Sequence, residues 1–159
     1  MLALVGAVSA QEVLVPVDGN VMQSISISTT GTISAWSLTP GITNTNSAVH
    51  IIRNQNVPTR LLQVDALDHG KLAGGTPGYM CAFDGTNYYS GKLAAKLQLQ
   101  VPGGTLQDLA PSTPATLLAA GGTGTIDDTL TVSQAVSMSD VVLTTQTYHA
   151  VIKIDAALA

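Results

Sequence analysis

Three histidines, five aspartates near turn-forming residues and one cysteine are the side chains of this sequence that could do chemistry. His50, His69 and His149 stand far apart, and none belongs to an HExxH or CxxC arrangement that would hold a transition metal. Asp65, Asp68, Asp127, Asp128 and Asp140 offer the hard oxygens that calcium prefers, but no D-x-D-x-D-G loop gathers them. In a strand, Asp127 and Asp128 would point to opposite faces and could not share an ion through their side chains. The G-x-S-x-G elbow of serine hydrolases is absent. FDGTNYYSGK misses the spacing of the phosphate-binding G-x-x-x-x-G-K by one residue and lacks the Ser or Thr that should follow. Glycoside hydrolysis would need two carboxylates facing one another across a sugar, with aromatic rings to carry it, and aromatic residues make up 4% of the chain. The expectation is a protein with no catalytic residues, no metal and no cofactor, and therefore not an enzyme.

What remains is recognition. The segment TPGITNTNS could present the amides of Asn44 and Asn46 to a glycan from a loop, although no stacking ring lies within it. Tyr88 and Tyr89 follow a turn, so alternation puts one ring in the core and the other on the surface. Trp36, the only tryptophan, sits in GTISAWSLTPG. Burying its ~150–250 Å² is worth roughly 4–6 kcal/mol gross, which favours the centre of a core over an exposed platform. Cys81 lies in the apolar run Tyr79–Phe83 and reads as a buried, inert thiol.

Charged residues make up 10% of the chain, against about 25% in a typical soluble domain. Ser, Thr, Gly and Asn supply the polarity instead. The net charge is −4, and Arg53, Arg60, Lys71, Lys92, Lys96 and Lys153 are scattered, so no basic stripe collects phosphates and nucleic acid is not an expected partner.

Apolar residues alternate with polar ones in short segments separated by turn residues, the pattern of antiparallel sheets. Ile25 and Ile27 alternate with Ser24, Ser26 and Ser28; Leu97, Leu99 and Val101 with Lys96, Gln98 and Gln100; Tyr148, Ala150, Ile152 and Ile154 with His149, Val151 and Lys153. The Asp84–Gly85 pair marks a hairpin. Between Thr105 and Ala120, Pro111 and Pro114 leave room for a loop with one short helix. The prediction is all-β: a single antiparallel β-sandwich, jelly-roll or immunoglobulin-like, of about nine or ten strands with at most one short helix. The 159 residues suit one core. Residues 1–10 end in Val8-Ser9-Ala10, a small-x-small site, and read as the tail of a secretory signal, leaving residues 11–159 as the sandwich domain. No stretch reaches the ~18 apolar residues of a membrane helix, so no membrane span is expected in the mature chain. With one cysteine, an internal disulfide cannot form.

Trp36-Ser37-Leu38, the stretch VPTRLLQVDALDHGKLAG from Val57 to Gly74, and the run from Leu118 to Ile154 with Gln134-Ala135-Val136, Asp140 and Tyr148 together resemble secreted archaeal and Gram-positive surface β-domains of the WxL, camelysin and TasA-like type. The resemblance implies a sandwich on a cell surface, in some cases built into filaments. A second W-x-L and metal-binding motifs of the camelysin kind are missing, which argues against peptidoglycan attachment and protease activity. The expected function is a non-enzymatic, extracellular or cell-surface structural protein whose partners are copies of itself or other cell-envelope proteins. Val13, Val15 and Val17 share one face of an N-terminal strand that could complete its own sheet or add to a neighbour's. The alternative is a carbohydrate- or protein-binding module with Asn44 and Asn46 at its ligand loop.

Overall fold

The computed structural model describes residues 18–66 and 74–159. The signal-like segment, Val13, Val15, Val17, Asp68 and His69 lie outside the described residues. Within them the fold is all-β, with eleven strands, three antiparallel sheets and no helix. The strands are β1 (Ile25–Thr30), β2 (Thr43–Gln55), β3 (Thr59–Asp65), β4 (Cys81–Phe83), β5 (Tyr88–Lys92), β6 (Leu97–Gln100), β7 (Gln107–Asp108), β8 (Ala115–Leu118), β9 (Gly124–Ala135), β10 (Thr147–His149) and β11 (Ile152–Leu158).

Five strands form one sheet in the order β1-β2-β9-β6-β7, and β11-β3-β8 form a second. Their inner faces meet in the main core. Ile51 from β2, Leu97 and Leu99 from β6, and Leu130 and Val132 from β9 pack with Leu61 of β3 and Leu117 of β8, all at most 3% exposed. Ile152, Ile154 and Ala156 of β11 close over one side. Seven such buried side chains at ~1.5–3 kcal/mol each supply much of the gross driving force that a disulfide-free chain requires. The third sheet, β10-β4-β5, carries a smaller cluster around Cys81 and Tyr88.

The segment between Thr105 and Ala120 forms β7 and β8 in place of the expected short helix. Leu109 and Leu117 must both reach the core, and two prolines between them remove helical donors; an extended path satisfies both demands. The last alternating run divides at Ala150–Val151, so that β10 joins the small sheet and β11 the sandwich. Trp36 lies in no strand. Gly31, at φ +78, ends β1 where a Cβ would stand 1.9 Å from the Ala48 carbonyl oxygen, and Ala35 takes a left-handed φ of 49° just before the indole. Trp36 is half-buried at the rim of the main core and not at its centre.

One charged pair runs through the interior. Arg53 of β2 is 1% exposed, and its Nε and Nη2 donate to Asp128 Oδ2 of β9 at 3.1 and 2.6 Å. Its Nη1 donates to Thr59 Oγ1 at the start of β3, and Thr59 in turn donates to Gln55 Oε1. A Cβ on Gly121 would lie 2.3 Å from Arg53 Nη1, so the guanidinium is accommodated only because that position has no side chain. Asp127, one residue away, faces outward and meets His50 at 2.9 Å, as strand alternation predicts. Removing one partner of a buried pair strands the other in low dielectric. We expect Asp128→Asn to lower unfolding free energy by about 3–5 kcal/mol in guanidinium titrations, and Arg53→Met/Asp128→Leu to recover most of that loss.

Candidate functional site

Most sequence-designated residues turn out to serve the fold. Asn44 lies in β2, 8% exposed, where its Oδ1 accepts from the Thr39 amide at 2.8 Å and its Nδ2 donates to the Thr39 carbonyl at 3.1 Å. It closes the turn that enters β2. Asn46, also in β2, accepts from the Ala48 amide at 2.9 Å beside the bulge between Asn46 and Val49. The two asparagines sit in a strand with their oxygens committed to the backbone, not in a ligand loop. Cys81 is fully buried and hydrogen-bonded to the Thr76 backbone, and burial pushes its thiol pKa up, so the thiolate is disfavoured. Among the described residues no three His, Cys, Asp or Glu side chains converge as a metal site would require.

Three features remain exposed or concave. The first is the edge of the large sheet. Among the described residues β1 is hydrogen-bonded to β2 alone, and all six of its residues are exposed. The register pairs Ile25, Ile27 and Thr29 with Gln55, Arg53 and Ile51, whose side chains are buried, so the two isoleucines face inward. Each is nevertheless 36% exposed. Sequence alternation assigned their face correctly and their burial wrongly. Asn56 extends the edge backwards by accepting from the Ser24 amide and donating to the Met22 carbonyl. Val21, Met22 and, on β11, Leu158 add exposed apolar surface, at 91%, 85% and 50%.

The other edges of the two packed sheets are protected. β7 has two residues, β8 follows Pro114, and β11 carries the Lys153–Asp155 ion pair at 3.0 Å. Short strands, prolines and charges are the usual devices that stop a sheet from growing. Within β1, ISISTT contains none of them.

The second feature is the β4–β5 hairpin. Asp84 caps its turn by accepting from the Thr86 and Asn87 amides at 2.8 Å, and Gly85 takes φ +95. Tyr88 points inward, 4% exposed, and Tyr89 outward, 41% exposed, as alternation requires. Phe83 lies between Tyr88 and His149, with ring centroids 4.7 Å apart on each side. The third feature is a cavity of about 610 Å³ at the end of the sandwich where the residues before β2 and those after β9 approach one another; Trp36 forms part of its wall.

No protein-family model, curated protein or solved structure matches the chain.

The Tyr89 hydroxyl donates to Asp84 Oδ2, and this bond, followed by those from the Asn87 and Thr86 amides, holds the Asp84 carboxyl at about 2, below its ordinary 3.8. A depressed carboxyl favours the folded hairpin above the ordinary value, and that contribution is lost as pH falls through about 2. Tyr89→Phe should move the Asp84 titration upward toward 3.8 in a carboxyl-detected NMR titration, and an unchanged midpoint would refute the bond's role.

Proposed function

We propose that this chain is a non-enzymatic structural protein of the extracellular space or cell surface that associates with copies of itself by strand addition. One observation supports the reading: among the described residues β1 is a six-residue edge with one hydrogen-bonded neighbour, all six positions exposed, and no charge, proline or bulge to guard it. A free strand edge presents main-chain donors and acceptors at the spacing of another strand. Inward-facing Ile25 and Ile27 supply what an edge of polar residues would lack, an apolar row for an incoming strand to cover.

Composition acts in the same direction. With a net charge of −4 spread over a charge-poor surface, copies repel one another weakly. The strand that adds is the apolar segment with Val13, Val15 and Val17 on one face. Burying three valines contributes about 5–8 kcal/mol gross before the cost of ordering the segment. The small-x-small site at residues 8–10 and the resemblance to WxL, camelysin and TasA-like surface domains support secretion.

The test uses the purified full chain at rising concentration, followed by light scattering and negative-stain microscopy. Wild type is expected to form elongated assemblies. Ile25→Lys/Ile27→Lys should remain monomeric, with far-UV circular dichroism confirming an intact fold, since each position is 36% exposed and a lysine stem can carry its ammonium to solvent. Deletion of residues 11–17 should also abolish assembly; assemblies that survived it would assign the added strand to another segment, and a wild type monomeric at every concentration would overturn the reading.

A further inference from the structure

The cavity beside Trp36 is independent of the β1 edge, and its chemistry is specific. Its floor is made by Leu97, Val132 and Val136, three side chains at most 7% exposed, and its walls by Trp36, Leu38 and Ile152. At about 610 Å³ it falls within the ~300–1,000 Å³ of small-molecule sites, which are mostly apolar with a few placed polar groups. Ala35 holds φ 49° to set the indole against this space. That conformation is one that L-residues other than Asn and Asp rarely adopt, and such strain concentrates where a side chain must be held for a ligand.

Polar groups on the lining decide what kind of ligand fits. No Lys or Arg is among the described lining residues. Asp140 is there, its two oxygens accepting from the Ala94 amide at 2.9 Å and the Ser137 amide at 2.7 Å, so its negative charge is fixed in place. The Tyr148 hydroxyl is spent on the Val141 carbonyl at 2.7 Å. His149 loses affinity for its proton by burial and stands as a neutral imidazole at pH 7. Ser34, Thr147, His149 and Gln146, the last also bonded to Tyr89, are the other hydrogen-bonding side chains on the lining, and Gln146 and His149 are the largest of them. An anionic head would face Asp140 with no cation to offset it, whereas an uncharged hydroxyl or ester would be matched.

We infer that this cavity binds an uncharged, elongated aliphatic molecule, such as a long-chain alcohol or ester, with its tail against Trp36, Leu97 and Val132 and its polar end at Gln146 and His149.

Trp36, as the only tryptophan, reports occupancy directly. Titration at pH 8 with decanol and with decanoate, equal in chain length and different in charge, is read by its emission. The Ile25→Lys/Ile27→Lys background keeps the chain monomeric, so failure here and failure of assembly are separate results. Decanol is expected to give a saturable change, and decanoate one at least tenfold weaker. Val136→Phe should fill the floor and abolish the decanol signal. Val142→Lys, at a rim position 83% exposed and therefore safe for folding, should strengthen decanoate binding several-fold. An absent or non-saturable decanol signal, equal binding of the two probes, or a folded Val136→Phe that binds as before would overturn the inference. Should Val136→Phe fail to fold, the Val142→Lys titration decides, and an unchanged decanoate affinity counts against the site. A response to a synthetic peptide of residues 11–17 in place of decanol would also overturn it, making the cavity an acceptor for a strand.

Discussion

The buried contact between Arg53 and Asp128 is the constraint around which the sandwich is arranged. In a chain with few charges, Arg53 and Asp128 have been placed together in the interior, and several neighbouring choices follow from satisfying them. Asp128 must face inward on β9, which sets Asp127 outward against His50. Thr59 must stand at the first residue of β3 to accept the third guanidinium bond, which joins the two sheets through side chains. Gly121 must lack a Cβ. A one-residue slip of β2 against β9 would turn Arg53 to solvent and bring Ile52 inward, so the ion pair specifies register more sharply than the aliphatic neighbours could. The pair's worth lies in that specification, since a buried ion pair returns little net stability over an apolar replacement.

This arrangement also explains where the molecule is left open. The long strands β2 and β9 form the spine of the large sheet, and the second sheet, with three strands, covers only part of their inner face. On one flank the uncovered remainder is the β1 edge with Ile25 and Ile27. At the far end it is the space bordered by Trp36, Val132 and Val136. A five-stranded layer against a three-stranded one leaves such deficits, and the third sheet borders the second of them through His149 of β10 and Met80, the residue before β4.

Legibility in the sequence followed physical cause. Where a strand has a dry face and a wet face, as in β6 and β9, alternation identified the inward residues, and it separated Asp127 from Asp128 and Tyr88 from Tyr89. It failed where burial depends on partners distant in the chain. Arg53 looks like any scattered surface cation until Asp128, Thr59 and Gly121 are brought to it from three other parts of the chain. The ISIS pattern of β1 carries the same signal whether the opposite sheet covers it or stops short. The alternation from Tyr148 to Ile154 continues unbroken across a change of sheet, because period two records a face and not a partner. Trp36 was assigned to the core on its area, but the left-handed Ala35 beside it carries no sequence signature, and that backbone turn moves the indole to the rim. The cavity combines residues before β2 with others after β9, which no local pattern could join.

The strand pairings have a temporal consequence as well. β2 pairs with β9 through contacts such as His50 with Thr129, and β3 pairs with β11 through contacts such as Asp65 with Ile152. Nearly the whole chain must be available before either sheet can close. Folds dominated by such distant pairings have high contact order and reach the native state slowly, in milliseconds to seconds. The buried aliphatics of the main core all lie between Ile51 and Val132, and the partly buried Ile152, Ile154 and Ala156 of β11 come after them, so the strand made last closes over a core whose other members already exist.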